Sequence, residues 1–337
     1  MPDKYTIAIP MAGYGTRMRP HTWSKPKPLI QLAEKTVLDH ALDQFASLPG
    51  IHNAEWVFII SPGQQVQVEE HMKLHHPHKT VHYVVQEVMK GQSDALYLAR
   101  EHLRGPMLMS FSDTLIETDL SFLPKVKHDG VAWVKPVPDP RRFGVAEIDK
   151  DGWVTRLVEK PKDIENNRAV VGFYYFRSGE QLMSAIEEQV KRGVALNGEY
   201  YLTDTINVLL EKGARFSIQT VKTWLDAGTR DSLLETNRYL LEHGHGNSDE
   251  AQARKEVKII PPVYIPKDVE ITSGSIGPHV SVGHNVKLIH AHLTDCIIEE
   301  KTRVEDSTLT HSHIGRNSTV KGARGKVNIG DDSWVEL

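Results

Sequence analysis

The chain has 337 residues, of which 39% are hydrophobic and 25% are charged, and its formal net charge at pH 7 is −4. This composition excludes a disordered chain and is typical of a globular protein with more than one domain. A slightly acidic chain has no general attraction for nucleic acid or anionic membranes, and no apolar run approaches the ~20 residues of a membrane span. The start of the chain carries no signal-peptide pattern and Cys296 is its single cysteine. We therefore expect a cytoplasmic protein in which Cys296 is a small core residue.

The most informative segment follows the first predicted strand, an apolar and β-branched run at residues 5–9. This strand leads into Gly13 and Gly15, where the missing Cβ atoms allow backbone N–H groups to approach an anion. Arg17 follows directly, and Lys25 and Lys27 add further positive charge suited to phosphate oxygens. The segment therefore predicts a polyphosphate-binding loop.

Two common glycine-rich motifs are excluded, because Met18 replaces the third glycine of the dinucleotide motif and no Gly-Lys-Ser/Thr occurs. Instead, the run Gly-Tyr-Gly-Thr-Arg-Met-Arg-Pro, followed by Pro-Lys-Pro, resembles the signature of the sugar-1-phosphate nucleotidyltransferases, or nucleotide-sugar pyrophosphorylases. The preceding Ile-Pro-Met-Ala-Gly is most similar to the bacterial UTP–glucose-1-phosphate branch. The resemblance implies catalytic roles for Arg17 and Lys27. It also implies nucleotide-binding roles for Ala12, Gly13, Gly15 and Thr16.

Strands and helices alternate over the first part of the chain. Apolar runs predict strands at 55–61, 81–85 and 107–111, and helical spacing predicts helices at 37–45, 65–74 and 95–103. This alternation predicts an α/β fold with parallel strands covered on both faces, whose ligands bind beyond the carboxyl ends of strands. Together with the resemblance, it predicts a Rossmann-like mixed sheet for the nucleotidyltransferase domain. The glycine loop and Asp113 both follow strands, so we expect them to face one crevice.

The segment Gln86–Gly91 joins a predicted strand to a predicted helix. A glutamine amide can donate to and accept from the edge of uracil or thymine, and glycine permits close backbone approach. From spacing alone this segment is a generic loop. The resemblance implies that Gln86 and Gly91 contact a pyrimidine base.

Asp113 by itself is most simply a helix cap or a turn residue. A second carboxylate, Asp226 in Leu-Asp-Ala-Gly-Thr, supplies a partner, and paired carboxylates with substrate phosphates suit Mg²⁺. The resemblance implies that Asp113 and Asp226 are the metal ligands, although Ser112 departs mildly from the family pattern before the first of them.

The middle third carries predicted strands at 131–134, 144–148, 154–159 and 170–176, with a hairpin turn at 149–152. Glu159 and Lys160 would otherwise be a surface charge pair. The resemblance implies that sugar-phosphate-binding residues lie here and just beyond, namely Gly144, Glu159, Lys160, Gly172 and Glu199, although a structural role is equally open for Glu199. Thr203 is predicted to be the N-cap of a helix that ends near Leu210.

The last part of the chain has a different texture. A predicted helix at 233–243 is followed by a polar, glycine-bearing run, which we interpret as a linker. Beyond it, aliphatic residues recur every six positions, often followed by glycine, with interruptions around 289–297 and 305–313. The pattern predicts four or five stacked coils and resembles the left-handed hexapeptide β-helix. We expect the histidines in this part of the chain to lie on the surface of the coils. The predicted division is a catalytic domain at 1–240, a linker at 241–256 and the β-helix at 257–337.

The resemblance implies transfer of a nucleotidyl group from UTP or dTTP to a sugar-1-phosphate, with glucose-1-phosphate the first candidate, Mg²⁺ as cofactor and pyrophosphate as second product. Three alternatives remain open: a guanylyltransferase acting on mannose-1-phosphate, a silent nucleotide-sugar-binding regulator, and a bifunctional enzyme whose β-helix transfers acyl groups. No distinctive acyl-CoA signature supports the last of these. Because such helices often pack on partners, we also expect a homo-oligomer.

Overall fold

The computed structural model describes residues 4–337. The chain folds into two compact units, one formed by the described residues up to Gly13 together with Ala41–Trp224, and the other by Tyr14–His40 and Leu225–Leu337. The backbone therefore passes from one unit to the other three times. The predicted domains are continuous segments that end at residues 240 and 256. The two compact units are not continuous in sequence, because residues 14–40 group with the end of the chain. The predicted domain bounds therefore stay a prediction.

The strands of the first 226 residues are two to nine residues long. They are β1 (Thr6–Pro10), β2 (Gln31–Leu32), β3 (Lys35–Thr36), β4 (Glu55–Ile60), β5 (Thr80–Val85), β6 (Met107–Ser110), β7 (Thr114–Ile116), β8 (Gly130–Pro136), β9 (Gly144–Ile148), β10 (Val154–Glu159), β11 (Arg168–Phe176), β12 (Phe216–Thr220) and β13 (Trp224–Asp226). The helices are α1 (Val37–Asp43), α2 (Gln65–His75), α3 (Gln92–Leu98), α4 (Gly179–Arg192), α5 (Leu202–Glu211), α6 (Arg230–Glu242) and α7 (Ser248–Ala251). Each strand and helix predicted in this region is present, with ends shifted by a few residues.

Within the described residues, the first unit contains a mixed nine-stranded sheet. Its main path runs β10-β9-β11-β6-β1-β4-β5, while β8 pairs with both β11 and β12. The predicted parallel pairing is confirmed for β6, β1, β4 and β5, whereas β11 pairs in antiparallel fashion with β6, β8 and β9. Helices α3, α4 and α5 supply apolar side chains to the core of this unit, among them Leu96, Ile186 and Ile206.

Two local features of this unit differ from the sequence analysis. Helix α4 was not predicted, although Ser178 caps its first turn by accepting a hydrogen bond from the backbone N–H of Gln181, and Gly193 ends it in the left-handed conformation. The prediction of Thr203 as an N-cap is wrong, because α5 begins at Leu202 and its N-cap residue is Tyr201. The Thr203 hydroxyl instead donates to Glu159.

The second unit contains a parallel β-helix built from short strands. These are β14 (Lys258–Ile259), β15 (Val263–Tyr264), β16 (Glu270–Ile271), β17 (Gly274–Ile276), β18 (Val280–Val282), β19 (Lys287–Ile289), β20 (Ala291–Ile298), β21 (Arg303–Glu305), β22 (Thr308–Ile314), β23 (Thr319–Lys321), β24 (Arg324–Gly325), β25 (Asn328–Ile329) and β26 (Trp334–Glu336). In the described chain one face has five stacked strands, in the order β16-β19-β21-β23-β26, which agrees with the predicted four or five coils. Aliphatic side chains fill the interior, and Cys296 is fully buried among them as predicted.

The repeat of this β-helix is shorter than a strict period of six implies. Successive coils are offset by 17, 16 and 15 residues rather than three times six, as in the pairs Glu270 with Lys287, Lys287 with Arg303 and Thr319 with Trp334. Interior residues follow steps of six, five and five, as at Val282, Leu288, Leu293 and Ile298. The two predicted interruptions are therefore the five-residue steps of a regular coil.

Corners of the coils require backbone with positive φ, which favours Asn, Asp, His and Gly. His279, His290 and His311 occupy such corners, with φ between 47° and 61°. The expectation of surface histidines fails for His313, which is completely buried in β22. Among residues 4–337, no helix combines the length and apolar composition that a membrane crossing would need.

Candidate functional site

The phosphate-binding segment predicted from the sequence lies mainly in the second unit. Gly15 has φ +59°, and a Cβ at this position would lie 2.9 Å from the Thr22 Cγ2 and 3.3 Å from the Lys27 Cβ. Gly15 is therefore required both by its left-handed backbone and by the close approach of the residues that follow. Arg17 lies in a short 3₁₀ helix, Thr16–Met18, and Lys27 begins another, Lys27–Leu29.

The exposure of this segment suits ligand binding. Gly13, Thr16 and Arg17 are exposed and Lys27 is partly exposed, whereas Ala12, two residues after β1, is buried. A Cβ added to Gly13 would meet no protein atom within 4 Å, so packing alone does not demand glycine there. The open space at Gly13 leaves room for a close ligand.

The prediction that Lys25 faces phosphate is wrong. Lys25 is only 5% exposed, and its ammonium forms ion pairs with Glu299 and with the Asp331 Oδ1, the latter at 3.0 Å. Both carboxylates belong to the β-helix, more than 270 residues further along the chain. Local spacing placed Lys25 with Arg17 and Lys27, but its charge is already neutralised inside the protein.

The predicted base-binding residues lie together in the first unit. Gln86 is buried at the end of β5, and its Nε2 donates to the Asp94 Oδ2 at 2.8 Å and to the Gly91 backbone oxygen at 3.4 Å. Because a carboxylate can only accept, Asp94 orients the amide so that Oε1 remains as the acceptor for a ligand. This orientation suits the N3–H of uracil or thymine.

Gly91 is required where it stands. It has φ +97°, and a Cβ would lie 2.5 Å from the backbone oxygen of Tyr200. The backbone of Tyr200 also accepts from Ser93 N at 3.1 Å and donates to Lys90 O at 2.8 Å. The predicted base-binding loop is therefore held against the segment that precedes α5.

Asp113 follows β6 and is partly exposed. Two residues earlier, the Phe111 N–H donates to the backbone oxygen of Gly172 at 3.1 Å, and a Cβ on Gly172 would lie 2.1 Å from the Phe111 ring. Gly172 thus has a packing role in addition to the sugar contact predicted for it. Its absent side chain lets Phe111 hold the strand end from which Asp113 projects.

Asp226 ends β13 in the second unit and is exposed. Its Oδ1 accepts from the Gly228 N–H at 2.8 Å, and its backbone oxygen accepts from the Thr236 hydroxyl at 2.9 Å. The carboxylate is consequently held on a short turn before α6. Asp113 belongs to the first unit, whereas most of the glycine loop and Asp226 belong to the second. That the glycine loop and Asp113 face one crevice therefore stays a prediction. The pairing of Asp113 with Asp226 also stays a prediction.

The predicted sugar-phosphate residues Gly144, Glu159 and Lys160 are adjacent in the first unit. Gly144 pairs with Glu159 between β9 and β10, and a Cβ on Gly144 would lie 2.9 Å from the Thr203 and Val170 side chains. The Thr203 hydroxyl donates to the Glu159 Oε2 at 3.2 Å. Burial raises the pKa of Glu159 above its ordinary value, while the Thr203 hydrogen bond and Lys160 oppose this shift.

Lys160 is exposed and has φ +48°, a strained conformation for a non-glycine residue. Its ammonium donates to the Tyr201 hydroxyl at 2.9 Å and lies 4.9 Å from the centre of the same ring. The hydrogen bond to Tyr201 is the main cause of a raised pKa for Lys160, and Glu199 contributes through its charge. Lys160 is therefore a positively charged group presented in a defined position.

These observations can be compared with known proteins. A protein-family model described as "Nucleotidyl transferase" matches residues 8–243, which include every predicted site residue. The chain belongs to this family.

Individual relatives extend the comparison. A glucose-1-phosphate thymidylyltransferase of Streptomyces antibioticus is 28% identical over 96% of this chain and 97% of its own length. A bifunctional GlmU protein of Methanocaldococcus jannaschii is 29% identical over 68% of this chain, which spans only 53% of that relative. A nucleoside-diphosphate-sugar pyrophosphorylase from Vibrio cholerae has 20% identity and a TM-score of 0.59 over 68% of this chain and 98% of its own, which bears on the fold alone.

Sequence reasoning missed two side chains that orient predicted site residues. Asp94 lies eight residues after Gln86, a separation across a loop that has no helical or strand periodicity. Tyr201 stands 41 residues after Lys160, within the motif around Glu199. The position of Tyr201 close to Thr203 in Gly-Glu-Tyr-Tyr-Leu-Thr-Asp is the sequence feature from which its role could have been predicted.

Proposed function

We propose that this protein transfers a nucleotidyl group from UTP or dTTP to glucose-1-phosphate, forming an NDP-glucose and pyrophosphate. The observation that carries the proposal is the family match over residues 8–243, which spans the whole set of predicted site residues. The thymidylyltransferase name of a relative matched over nearly its full length supports the choice of substrates. The orientation of the Gln86 amide supports a pyrimidine with an N3–H donor.

In the proposed reaction, an oxygen of the sugar-1-phosphate attacks the α-phosphorus of the triphosphate. The bond from this phosphorus to the β-bridging oxygen breaks, and pyrophosphate leaves with the electron pair. The protein has little covalent chemistry to perform, so positioning and charge neutralisation supply most of the acceleration.

Each predicted residue has a role in that scheme. Arg17 and the N–H groups around Gly13 and Gly15 bind the β- and γ-phosphates, and Lys27 stabilises charge that develops on the α-phosphoryl group. Lys160 holds the phosphate of the incoming sugar, and Glu159 accepts hydrogen bonds from the sugar hydroxyls. Ala12 and Thr16 bind the nucleotide, Gln86 and Gly91 bind its base, and Gly144, Gly172 and Glu199 complete the sugar side.

The carboxylates of Asp113 and Asp226 fit Mg²⁺ by their chemistry, because both are exposed or partly exposed hard oxygen donors. Asp226 is also held in one orientation by Gly228. When bound, Mg²⁺ would neutralise negative charge on the triphosphate. We further propose that the protein forms a homo-oligomer, which light scattering of the purified protein would test.

The experiment is a panel of nucleoside triphosphates against sugar-1-phosphates, read by pyrophosphate release with Mg²⁺ and with excess chelator. We expect UTP or dTTP with glucose-1-phosphate to give the highest kcat/KM, and chelation to abolish turnover. GTP with mannose-1-phosphate as the best pair would establish the guanylyltransferase alternative, and nucleotide-sugar binding without pyrophosphate release would establish a regulator.

Variants test the residue roles. Lys27→Ala and Asp113→Ala should each lower kcat/KM by about 10²–10³-fold, because each removes a group that acts on charge in the transition state. Lys150→Ala, in the exposed hairpin turn, is the matched control and should retain full activity. Turnover within about threefold of the parent in the first two variants would overturn the assignments.

A further inference from the structure

The segment that carries Arg17 and Lys27 is packed on the β-helix through buried polar groups. We call His21, Lys25, Glu299, His313 and Asp331 the anchor cluster. The first two belong to the segment 14–40, and the other three belong to coils of the β-helix. All five lie in the second compact unit.

The centre of the anchor cluster is a buried network of opposite charges. Lys25 pairs with both Glu299 and Asp331, whose side chains are 4% and 1% exposed. The Ser24 hydroxyl adds a hydrogen bond to the Asp331 Oδ2 at 2.6 Å, and Arg316 pairs with the same oxygen at 2.8 Å. The buried Lys25 and the partly exposed Arg316 therefore balance the two buried carboxylates, which is the condition for keeping those carboxylates out of water.

Two histidines extend this network. The rings of His21 and His313 stack with centroids 3.5 Å apart and an angle of 7° between their planes. His313 Nε2 bonds to the Glu299 Oε1 at 2.9 Å, and His21 Nε2 bonds to the Asn328 Oδ1 at 2.7 Å. The stacked rings thus join the segment 14–40 to one coil of the β-helix.

Glycines in the coils allow the segment to approach closely. A Cβ on Gly330 would lie 2.9 Å from the backbone oxygen of Pro20. A Cβ on Gly283 would lie 2.5 Å from the Gln31 Oε1 and equally close to the backbone nitrogen of Glu300 in the next coil, so Gly283 serves both the stacking of the coils and the approach of Gln31. Neither glycine has a positive φ, so glycine is needed at these positions to avoid a steric clash and not to permit an unusual backbone conformation. The surface of the β-helix at Gly330 is thus shaped to receive Pro20.

The same stretch also contacts the glycine loop. The Thr22 hydroxyl, between His21 and Lys25 in sequence, donates to the backbone oxygen of Gly15 at 2.8 Å. Lys27 is separated from Lys25 only by Pro26, which restricts the backbone between the buried and the partly exposed lysine. A displacement of the anchor cluster would therefore move both Gly15 and Lys27.

We propose that the β-helix positions the triphosphate-binding segment, and that Lys25, Glu299 and Asp331 are positioning residues for Arg17 and Lys27. This inference rests on the proposed function of Arg17 and Lys27. It gives the β-helix a part in nucleotide binding that needs no catalytic group of its own.

The test uses the full chain with the double substitution Lys25→Met and Glu299→Gln. Removing both charges together avoids leaving one buried ion alone, and Asp331 keeps Arg316 as its partner. We expect KM for the nucleoside triphosphate to rise at least tenfold, with KM for the sugar-1-phosphate changed less than threefold. Amide hydrogen exchange at residues 14–30 should accelerate at least tenfold, while that of β14 to β17, which contain no residue of the anchor cluster, stays the same.

The matched control is Arg238→Met with Asp295→Asn. This pair bonds at 2.6 Å and joins α6 to the β-helix without touching residues 14–40. It should leave KM for the triphosphate and exchange at 14–30 unchanged. A lower melting temperature without either change in the anchor-cluster variant would mean that the cluster is structural only and would overturn the proposal.

A milder variant covers the case in which the double substitution fails to fold. Ser24→Ala removes the hydroxyl that bonds to Asp331 and should raise KM for the triphosphate about twofold to fivefold, with faster exchange at 14–30. Unchanged values for both would overturn the proposal. If the parent forms no nucleotide sugar, the proposed function fails, yet the exchange comparison still decides whether the β-helix holds this segment.

Discussion

Gln86 illustrates how one neighbouring side chain sets what a residue can recognise. Asp94 accepts the Gln86 Nε2 hydrogen bond at 2.8 Å and thereby leaves Oε1 as the acceptor for the proposed base. An asparagine at this position could donate as well as accept, so the Gln86 amide would be free to turn over. The selectivity for a base with N3–H over one with an N3 acceptor should therefore depend on Asp94.

We predict that Asp94→Asn lowers the ratio of kcat/KM for UTP or dTTP to that for CTP by about tenfold, the scale of one hydrogen-bond reversal. Asp151→Asn, in the exposed turn after β9, is the control for the loss of one negative charge. Steady-state assays with the two triphosphates measure the ratio. An unchanged ratio in Asp94→Asn would show that another group reads the base.

Tyr201 is the corresponding neighbour of Lys160. Tyr201→Phe keeps the ring but removes the hydroxyl that accepts from the ammonium at 2.9 Å. We expect KM for the sugar-1-phosphate to rise about threefold to tenfold, because the loss of a hydrogen bond to a charged group lets Lys160 move. KM for the triphosphate should change less. Tyr97→Phe, which loses a bond to Glu187, is the control, and equal effects from both variants would contradict the prediction.

At the scale of elements, the turn after Asp226 depends on the start of α6. Thr229 caps this helix by accepting from the Ser232 backbone N–H at 3.2 Å, and the Ser232 hydroxyl accepts from the Thr229 N–H at 3.1 Å. Loss of an N-cap oxygen typically destabilises a protein by about 1 kcal/mol.

We predict that Thr229→Ala lowers the free energy of unfolding by about 1 kcal/mol, measured by urea denaturation. Thr229→Ser keeps the capping oxygen and should stay within about 0.5 kcal/mol of the parent. An alanine variant as stable as the serine variant would show that the remaining hydrogen bonds of the turn suffice.

The missed helix α4 belongs to the same scale. Its boundaries carried ordinary signals, namely Ser178 before the first turn and Gly193 after the last, so it could have been predicted from the sequence. The Thr203 error has a different origin. Threonine at a helix start suits a cap, but the Glu159 carboxylate offers its hydroxyl a stronger partner from another element.

For the molecule as a whole, the anchor cluster predicts sensitivity to acid. Burial, with the neighbouring charge of His313, lowers the pKa of His21 from 6.5 to about 3, despite the opposing effects of Asn328 and Glu299. Lys25 and His313 lower the pKa of Glu299 to about 2 against the effect of burial. Burial also lowers the pKa of His313.

The difference in proton binding between the folded and unfolded chain determines how stability changes with pH. Between pH 6.5 and pH 3 the unfolded chain binds a proton at His21 that the folded chain does not, so stability falls as the pH decreases through this window. The Glu299 carboxylate contributes stability above pH 4.5 that is lost as the pH falls towards 2. The titration of His21 alone should lower the free energy of unfolding by about 2 kcal/mol between pH 7 and pH 5.

Urea denaturation at a series of pH values measures this loss. His21→Leu removes the titrating group, so its free energy of unfolding should depend less steeply on pH between 7 and 5, although it starts lower. His292→Gln, on an exposed part of the same β-helix, should keep the slope of the parent. A His21→Leu variant with an unchanged slope would place the acid sensitivity elsewhere.

The sequence by itself determined the mixed α/β character of the first part, the stacked coils of the last part and the position of the family signature. These features depend on periodicity and on motifs whose residues lie close together in the chain. Only the tertiary structure showed that Lys25 is buried in ion pairs, that the coils contain five-residue steps, and that Asp94 and Tyr201 contact Gln86 and Lys160. The Lys25 contacts join residues more than 270 positions apart, and no local pattern records which of two neighbouring lysines will meet a buried carboxylate.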